Sequence, residues 1–279
     1  MSARRAYRAS RRVPRALGVA IDTIVRGRLG DRRDPVACAD RLRDGFARIL
    51  AIHSLTVTVR GTWPQRPVIY VANHVSYLDP GAIAACVRCA PIAKGEVASW
   101  PLIGTASPGL GVIFVDRSSP HSGARALLRA RKVLAAGVSV LNFPEGTTTD
   151  GNTLLPFKRG IFGLARITGA PVVPIALRYA SDDLAWTGGS HFVPHYLGVT
   201  ASRRTSAVHV DLGPAISPAR FASAEDLASF AHDRIARMLR DLPEIHDPVL
   251  RLRVSPPRPD PVLPTPGGDV RVLRRRAGA

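Results

Sequence analysis

A chain of 279 residues, 46% of them hydrophobic, is long enough for one sizeable α/β core with extended ends, and its formal net charge is +18. The charge is uneven: residues 1–33 hold ten Arg against two Asp and residues 251–279 hold seven Arg against two Asp, so basic arms flank a nearly balanced body. Arms of this kind suit a polyanionic partner, and an aromatic content of 6%, with no zinc finger, stacking platform or basic recognition helix, argues against nucleic acid and for anionic lipid headgroups.

The first helical pattern is Leu17, Ala20, Ile21, Ile24 and Val25, with Arg15, Arg26 and Arg28 towards the other side. It predicts an amphipathic surface helix, which either lies in a membrane interface or packs on the domain. The apolar stretch from Ala16 to Val25 is interrupted by Asp22 and lacks a small-residue cleavage site, so it does not read as a signal peptide. No window approaches the ~20 apolar residues that span a bilayer. The expectation is a peripheral protein on the cytoplasmic side of the cell membrane, without a transmembrane helix.

A second helical pattern runs through Leu42, Phe46, Ile49 and Leu50. Cys38, Cys86 and Cys89 are too few and too odd in number for a disulfide framework. Cys86-Val-Arg-Cys89 spells CxxC, but without a second pair or thioredoxin-like surroundings it reads as two small residues on a helix. Strands are predicted at Leu55 to Val59 and Val68 to Ala72, and again at 111–116, 138–143, 172–178 and 207–212. Helical patterns at 123–136, 157–168 and 224–239 separate the later ones. This alternation predicts the α/β class: a single domain with a mostly parallel or mixed sheet covered by helices. From Pro243 periodicity is lost, and a Pro-rich run before Arg274-Arg275-Arg276 reads as a disordered tail. The chain thus divides into a basic amphipathic arm (1–33), a core domain (34–242) and a Pro/Arg-rich tail (243–279).

The most informative junction is Asn73-His74-Val75-Ser76-Tyr77-Leu78-Asp79-Pro80, which follows the strand ending at Ala72. Asp79 before Pro80 looks like a helix N-cap followed by Pro at the first helical position, which leaves His74 in a loop at a strand's carboxyl end. A loop curling into a cap can bring the imidazole against the carboxylate, so that one ring nitrogen is held and the other acts as a base on a hydroxyl. Three further segments end strands: Gly111-Val-Ile-Phe-Val-Asp-Arg117, Asn142-Phe-Pro-Glu-Gly-Thr147 and Val173-Pro174-Ile175. Loops issuing from successive strands can converge on one site.

In this order NHVSYLD, GVIFVDR, FPEGT and VPI resemble the four blocks of the 1-acyl-sn-glycerol-3-phosphate acyltransferase family, over about Val68 to Ile175. The resemblance implies a glycerolipid acyltransferase fold and acyl transfer from acyl-CoA or acyl-carrier protein to the free hydroxyl of a lysophospholipid. It implies His74 as general base and Asp79 as its orienting partner. Arg117 would pair with the acceptor phosphate, as a guanidinium fork suits a phosphate dianion. Lys94, with Pro101 and Gly104 behind it, matches a longer form of that block and would add positive charge. Asn73, Gly111, Pro144, Gly146 and Thr147 belong to the matching loops that would bind substrate, with Glu145 binding glycerol hydroxyls or steadying a cation and Pro174 lining the pocket wall. Taken without the family, Arg117 is equally a strand-end ion-pair residue and Glu145 a turn residue.

No GxSxG elbow is present and none of the cysteines falls in the blocks, so direct transfer without an acyl-enzyme is expected. Neither metal nor bound cofactor is implied. His191 and His195 are four apart, but Pro194 argues against a regular helix there and no carboxylate pair accompanies them. The third block has Thr148 where many family members carry Arg; the resemblance still puts 1-acyl-sn-glycerol-3-phosphate, giving phosphatidic acid, first as acceptor, with another lysolipid such as lyso-ornithine lipid as the alternative. Two rivals are a thioesterase or lipid hydrolase using the same His-Asp pair on water, and a non-enzymatic basic binding protein. Oligomeric state is not legible.

Overall fold

The structure, a computed structural model, describes residues 3–99, 109–116, 119–187, 191–202 and 205–242. In chain order the elements are α1 (Ala3–Leu29), α2 (Pro35–His53), β1 (Leu55–Arg60), β2 (Ile69–Ala72), α3 (Asp79–Ala84), β3 (Cys89–Lys94), β4 (Ile113–Val115), α4 (Pro120–Ala135), β5 (Ser139–Asn142), α5 (Gly160–Thr168), β6 (Val172–Tyr179), α6 (Phe192–Ser202), β7 (Ser206–Leu212) and α7 (Ala224–Asp241). The tail expected at 243–279 lies outside the described residues, as do Pro101, Gly104 and Arg117.

The strands form one seven-stranded sheet in the order β1-β7-β6-β2-β5-β3-β4. The β6–β7 ladder is antiparallel and the others are parallel, so the sheet is mixed. β2 lies at its centre with all four residues buried, which is why it reads as an apolar run rather than an alternation. Period-2 geometry sends Val68, Tyr70 and Ala72 to one face, against α1, α2 and α3, and Ile69 and Val71 to the other, against α4, α5 and α7.

Local sequence sets the ends of these elements. Asp34 caps α2 by accepting from Val36 and Ala37 N–H, and Ser223 and Asp226 form a reciprocal capping box at the start of α7. At the other end of α2, Ser54 turns the chain in a left-handed conformation (φ 53°).

Several expectations need correction. Cys89 does not stand on a helix but opens β3, and Cys86 lies just beyond α3. The helical pattern expected from Phe157 begins at Gly160, and β4 is shorter than 111–116. Pro194 does not break α6: it stands in the first turn, where an amide hydrogen has no helical acceptor to lose.

Candidate active site

β2, β5, β3, β4 and β6 run parallel, so the segments after them emerge on one edge of the sheet, where open α/β sheets hold ligands. β2 is flanked by β5 and β6, so the loop carrying His74 is met by the FPEGT turn on one side and by the end of β6 on the other.

Asn73 continues the β2–β6 ladder with its side chain: its Nδ2 donates to Leu177 O (3.0 Å) and its Oδ1 accepts from Leu177 N–H (2.7 Å). This buried amide, with both its polar atoms on Leu177, holds the chain as it leaves the sheet. Beyond it the chain curls back on itself. Asp79 is fully buried, and its Oδ2 accepts from the backbone N–H of Val75 (2.7 Å) and Ser76 (2.9 Å). The expected N-cap is therefore displaced. Leu78 takes the cap position, Asp79 is the first residue of α3, and its carboxylate closes the preceding loop instead of the helix.

The same Oδ2 lies 2.7 Å from His74 Nδ1, and Oδ1 accepts the Tyr179 hydroxyl at 2.7 Å. A carboxylate is acceptor-only, so His74 meets it with Nδ1–H, leaving Nε2 as the basic nitrogen. The imidazole stacks on Phe143 (centroids 4.2 Å apart, planes 22°), which fixes its remaining rotation. Its side chain keeps 19% exposure while Asp79 has none, so the ring reaches the surface and its partner does not. Burial and the Asp79 charge push the Tyr179 phenol well above its ordinary pKa, which keeps it a donor.

The FPEGT turn supplies the second clamp. Glu145 is buried, with Oε1 accepting from His74 N–H (2.7 Å) and Oε2 from Leu155 N–H (2.9 Å), so it ties the His74 loop to the segment after the turn. Burial raises its pKa, and the two amides act against that shift. Both oxygens are thus engaged by backbone, unlike the expected contact with glycerol hydroxyls. Gly146 adopts φ +82°, and a Cβ there would meet the Lys158 Nζ at 2.7 Å, so this glycine admits a lysine over the turn. Pro144 is buried and Thr147 exposed. Thr149 N–H donates to His74 O (2.8 Å) and Trp186 N–H to Val75 O (2.8 Å), pinning the loop from both flanks.

The remaining candidates are more distant. Lys94 ends β3 at the same edge of the sheet and pairs with Glu96 at 2.8 Å, half-exposed. Gly111 makes a left-handed turn (φ +70°) against Cys38 before β4. Pro174 is buried inside β6 in register with Val71, and it packs with Met238 around Gly213 on the sheet face away from His74. His195 joins a cluster in which Tyr77, from the His74 loop, meets Trp186, Phe192 and the His195 ring. Among the described residues no three His, Cys, Asp or Glu side chains are grouped to hold a metal ion.

Sequence reasoning missed Tyr179 and Phe143 as partners of the pair. A signal for Tyr179 existed: Val173, Ile175, Leu177 and Tyr179 alternate along β6 on the face of Asp79, so an aromatic with a polar tip falls at the strand's carboxyl end.

Residues 54–178 match the family described as Acyltransferase. The lyso-ornithine lipid O-acyltransferase of Rhizobium meliloti is 33% identical over 206 residues, covering 67% of this chain and 70% of that protein. The 1-acyl-sn-glycerol-3-phosphate acyltransferase of Neisseria meningitidis is 35% identical over 153 residues, 54% of this chain and 58% of that protein. The crystal structure of the 1-acyl-sn-glycerophosphate acyltransferase PlsC from Thermotoga maritima superposes with a TM-score of 0.56 at 25% identity, covering 82% of this chain and 96% of that one. The mixed sheet, the helices on its two faces and these likenesses agree: the chain is an acyltransferase and belongs to the PlsC-like family of glycerolipid acyltransferases.

Proposed function

We propose that the chain moves a fatty acyl group from a thioester, on coenzyme A or an acyl-carrier protein, to the hydroxyl of a lysolipid. The observation that carries this reading is the His74–Asp79 contact of 2.7 Å, with the carboxylate buried and the ring partly exposed at the mouth of the sheet. His74 Nε2 takes the acceptor proton as that oxygen attacks the thioester carbonyl. The C–O bond forms, the C–S bond breaks, and the departing thiolate recovers the proton from His74. Asp79 holds the imidazolium in between, as in a serine triad whose serine is replaced by the substrate alcohol. Glu145, Phe143 and Tyr179 act as positioning residues. No bound cofactor enters the scheme.

For the acceptor we favour lyso-ornithine lipid, the substrate named for relatives from Rhizobium meliloti, Rhodobacter capsulatus and Pseudomonas aeruginosa. Thr148, which itself contributes no cation after the FPEGT turn, supports an acceptor without a phosphate. Lys158 over Gly146 favours the second reading, 1-acyl-sn-glycerol-3-phosphate. Purified protein given labelled acyl-CoA and both lysolipids decides between them by which becomes labelled. Release of free fatty acid at a rate indifferent to either would replace transfer by hydrolysis.

The same reading places the enzyme peripherally on a membrane, at its cytoplasmic face. Leu17, Ile21, Val25 and Leu29 are exposed at four-residue intervals along α1 with arginines beside them, and among the described residues no helix is long and apolar enough to cross a bilayer. Flotation with anionic vesicles, with and without residues 1–33, tests this.

A further inference from the structure

The face of the sheet turned away from α1 carries charge that the chemistry at His74 does not use. α4 and α5 contain no Asp or Glu, and Arg125, Arg129, Arg131 and Lys132 on α4 and Arg166 on α5 are all exposed. Arg66, ahead of β2, joins them by lining an open cleft of about 500 Å³ with Arg131 and Ile167. Among the described residues none of these six cations meets a carboxylate, whereas Arg26, Arg48, Arg88 and Arg159 each pair with an Asp or Glu. Six unpaired like charges repel one another and give this face a positive field that an acidic partner relieves.

Apolar side chains are set among these charges. Of the large hydrophobic side chains exposed among the described residues, all but two belong to α1 and α6. The two are Leu128 on α4 (58% exposed) and Ile167 on α5 (76%). Arg125, Leu128, Arg129 and Lys132 recur at i, i+3, i+4 and i+7, so the leucine stands inside a basic stripe. An apolar contact rimmed by charge has the make-up of a protein interface. Two isolated apolar residues are too few to enter a bilayer, and the sheet separates them from the apolar stripe of α1. Neither helix exposes a Phe, Tyr or Trp on which a nucleic-acid base could stack.

The stripe leads to the active site. α4 starts at Pro120, beyond the carboxyl end of β4 and so at the edge of the sheet from which the His74 loop emerges, and it runs back against the strand direction towards β5. β4 and β2 are three strand spacings apart, ~14 Å, and β5 between them is followed by Phe143, which stacks on His74. A thioester on a long flexible arm crosses that interval while the protein bearing the arm stays on α4. We propose that Arg125, Leu128, Arg129 and Lys132, with Ile167 of α5, form the docking surface for an acyl-carrier protein, a partner whose excess of Asp and Glu matches this face. The inference rests on the reading of the chain as an enzyme that draws its acyl group from a thioester. It narrows the donor to a carrier recognised through its protein surface, which coenzyme A lacks.

The test compares Arg125→Glu/Lys132→Glu and Leu128→Asp with Arg4→Glu/Arg5→Glu, which reverses as many charges on α1, across the sheet. All five positions are exposed, and thermal melts matching wild type show that each variant is folded. Binding of a purified bacterial holo-acyl-carrier protein is titrated directly, and KM is measured for acyl-carrier protein and for acyl-CoA of the same chain length with the lysolipid in detergent. Wild type binds the carrier, more weakly as salt is raised. In both α4 variants the affinity falls by about tenfold or more and KM for the carrier thioester rises to match, while KM for acyl-CoA stays within about twofold and the α1 control binds as wild type does. A wild type that binds no carrier, α4 variants that bind it unimpaired, an equal loss in the control or an equal rise in KM for acyl-CoA overturns the proposal. The titration needs no turnover, so its failure alongside intact transfer from acyl-CoA leaves the His74 reading standing. Absence of transfer from either thioester sinks that reading instead, and the titration still decides the surface.

Discussion

Tyr179, the last residue of β6, donates its hydroxyl to Oδ1 of Asp79 at 2.7 Å, while Oδ2 of the same carboxylate holds His74. The acid of the pair is thus anchored from the neighbouring strand as well as from its own loop. Tyr179→Phe keeps the packing and removes that anchor, leaving one buried oxygen short of a donor. Stability should fall by about 1–3 kcal/mol, and kcat by about tenfold through a less well oriented imidazole, with KM little changed. Steady-state kinetics and a denaturant titration read the two effects separately.

Asp79→Asn is expected to be far more damaging. Oδ2 accepts from His74 Nδ1, Val75 N–H and Ser76 N–H, and an amide cannot accept at both ends. With the NH₂ at the Oδ2 position the two backbone donors lose their acceptor and the histidine is driven to the wrong tautomer; with it at the Oδ1 position the Tyr179 hydroxyl faces a donor instead of an acceptor. By analogy with the serine triad, kcat should drop by about 10³–10⁴. His74→Ala should abolish transfer with an unchanged melt, since the ring is partly exposed and bears no structural hydrogen bond beyond Asp79. Measurable turnover in that variant would remove His74 from the chemistry.

Much of the fold was legible because its strands and helices follow their own periods: β2 as an apolar run, α7 from a 3.6-residue repeat. β3 was not, because Cys89-Ala-Pro-Ile-Ala-Lys is short, poor in β-branched residues and contains Pro91. It forms because β5 pairs with 89–91 and β4 with 92–94, so the proline meets a partner strand on one side alone. The site shows the same division. The His74–Asp79 spacing and the FPEGT turn stand in the sequence, whereas the direction in which Glu145 and Asn73 spend their polar atoms depends on Leu155 and Leu177, which only the fold brings near.

Glu145→Gln probes that direction. Its two oxygens accept from His74 N–H and Leu155 N–H, so a glutamine presents an NH₂ to one of two buried donors. The expected cost is about 1–3 kcal/mol in stability, with kcat falling because the His74 backbone is released. If Glu145 instead binds acceptor hydroxyls, KM for the lysolipid rises at constant kcat and the melt is unaffected. The KM-against-kcat split separates the roles.

A pH dependence of stability follows from His53, at the meeting of α1, α2 and α6. Its Nδ1 donates to Ile49 O (2.9 Å), so Nε2 accepts from the Tyr196 hydroxyl (3.0 Å). Burial, assisted by the Arg12 charge, lowers its pKa. Between that lowered value and the unfolded value of about 6.5 the folded chain binds fewer protons than the unfolded one, so stability rises with pH through the window and is lost as the medium is acidified below it. His209, lowered by burial and by Arg60 and Arg178, acts in the same direction. Protonation of His53 would also turn Nε2 from acceptor to donor against Tyr196. Wild type should therefore melt lower at pH 5.5 than at pH 7.5, and His53→Gln should narrow that difference without closing it, since His209 remains. An unchanged gap in the variant would place the acid sensitivity elsewhere.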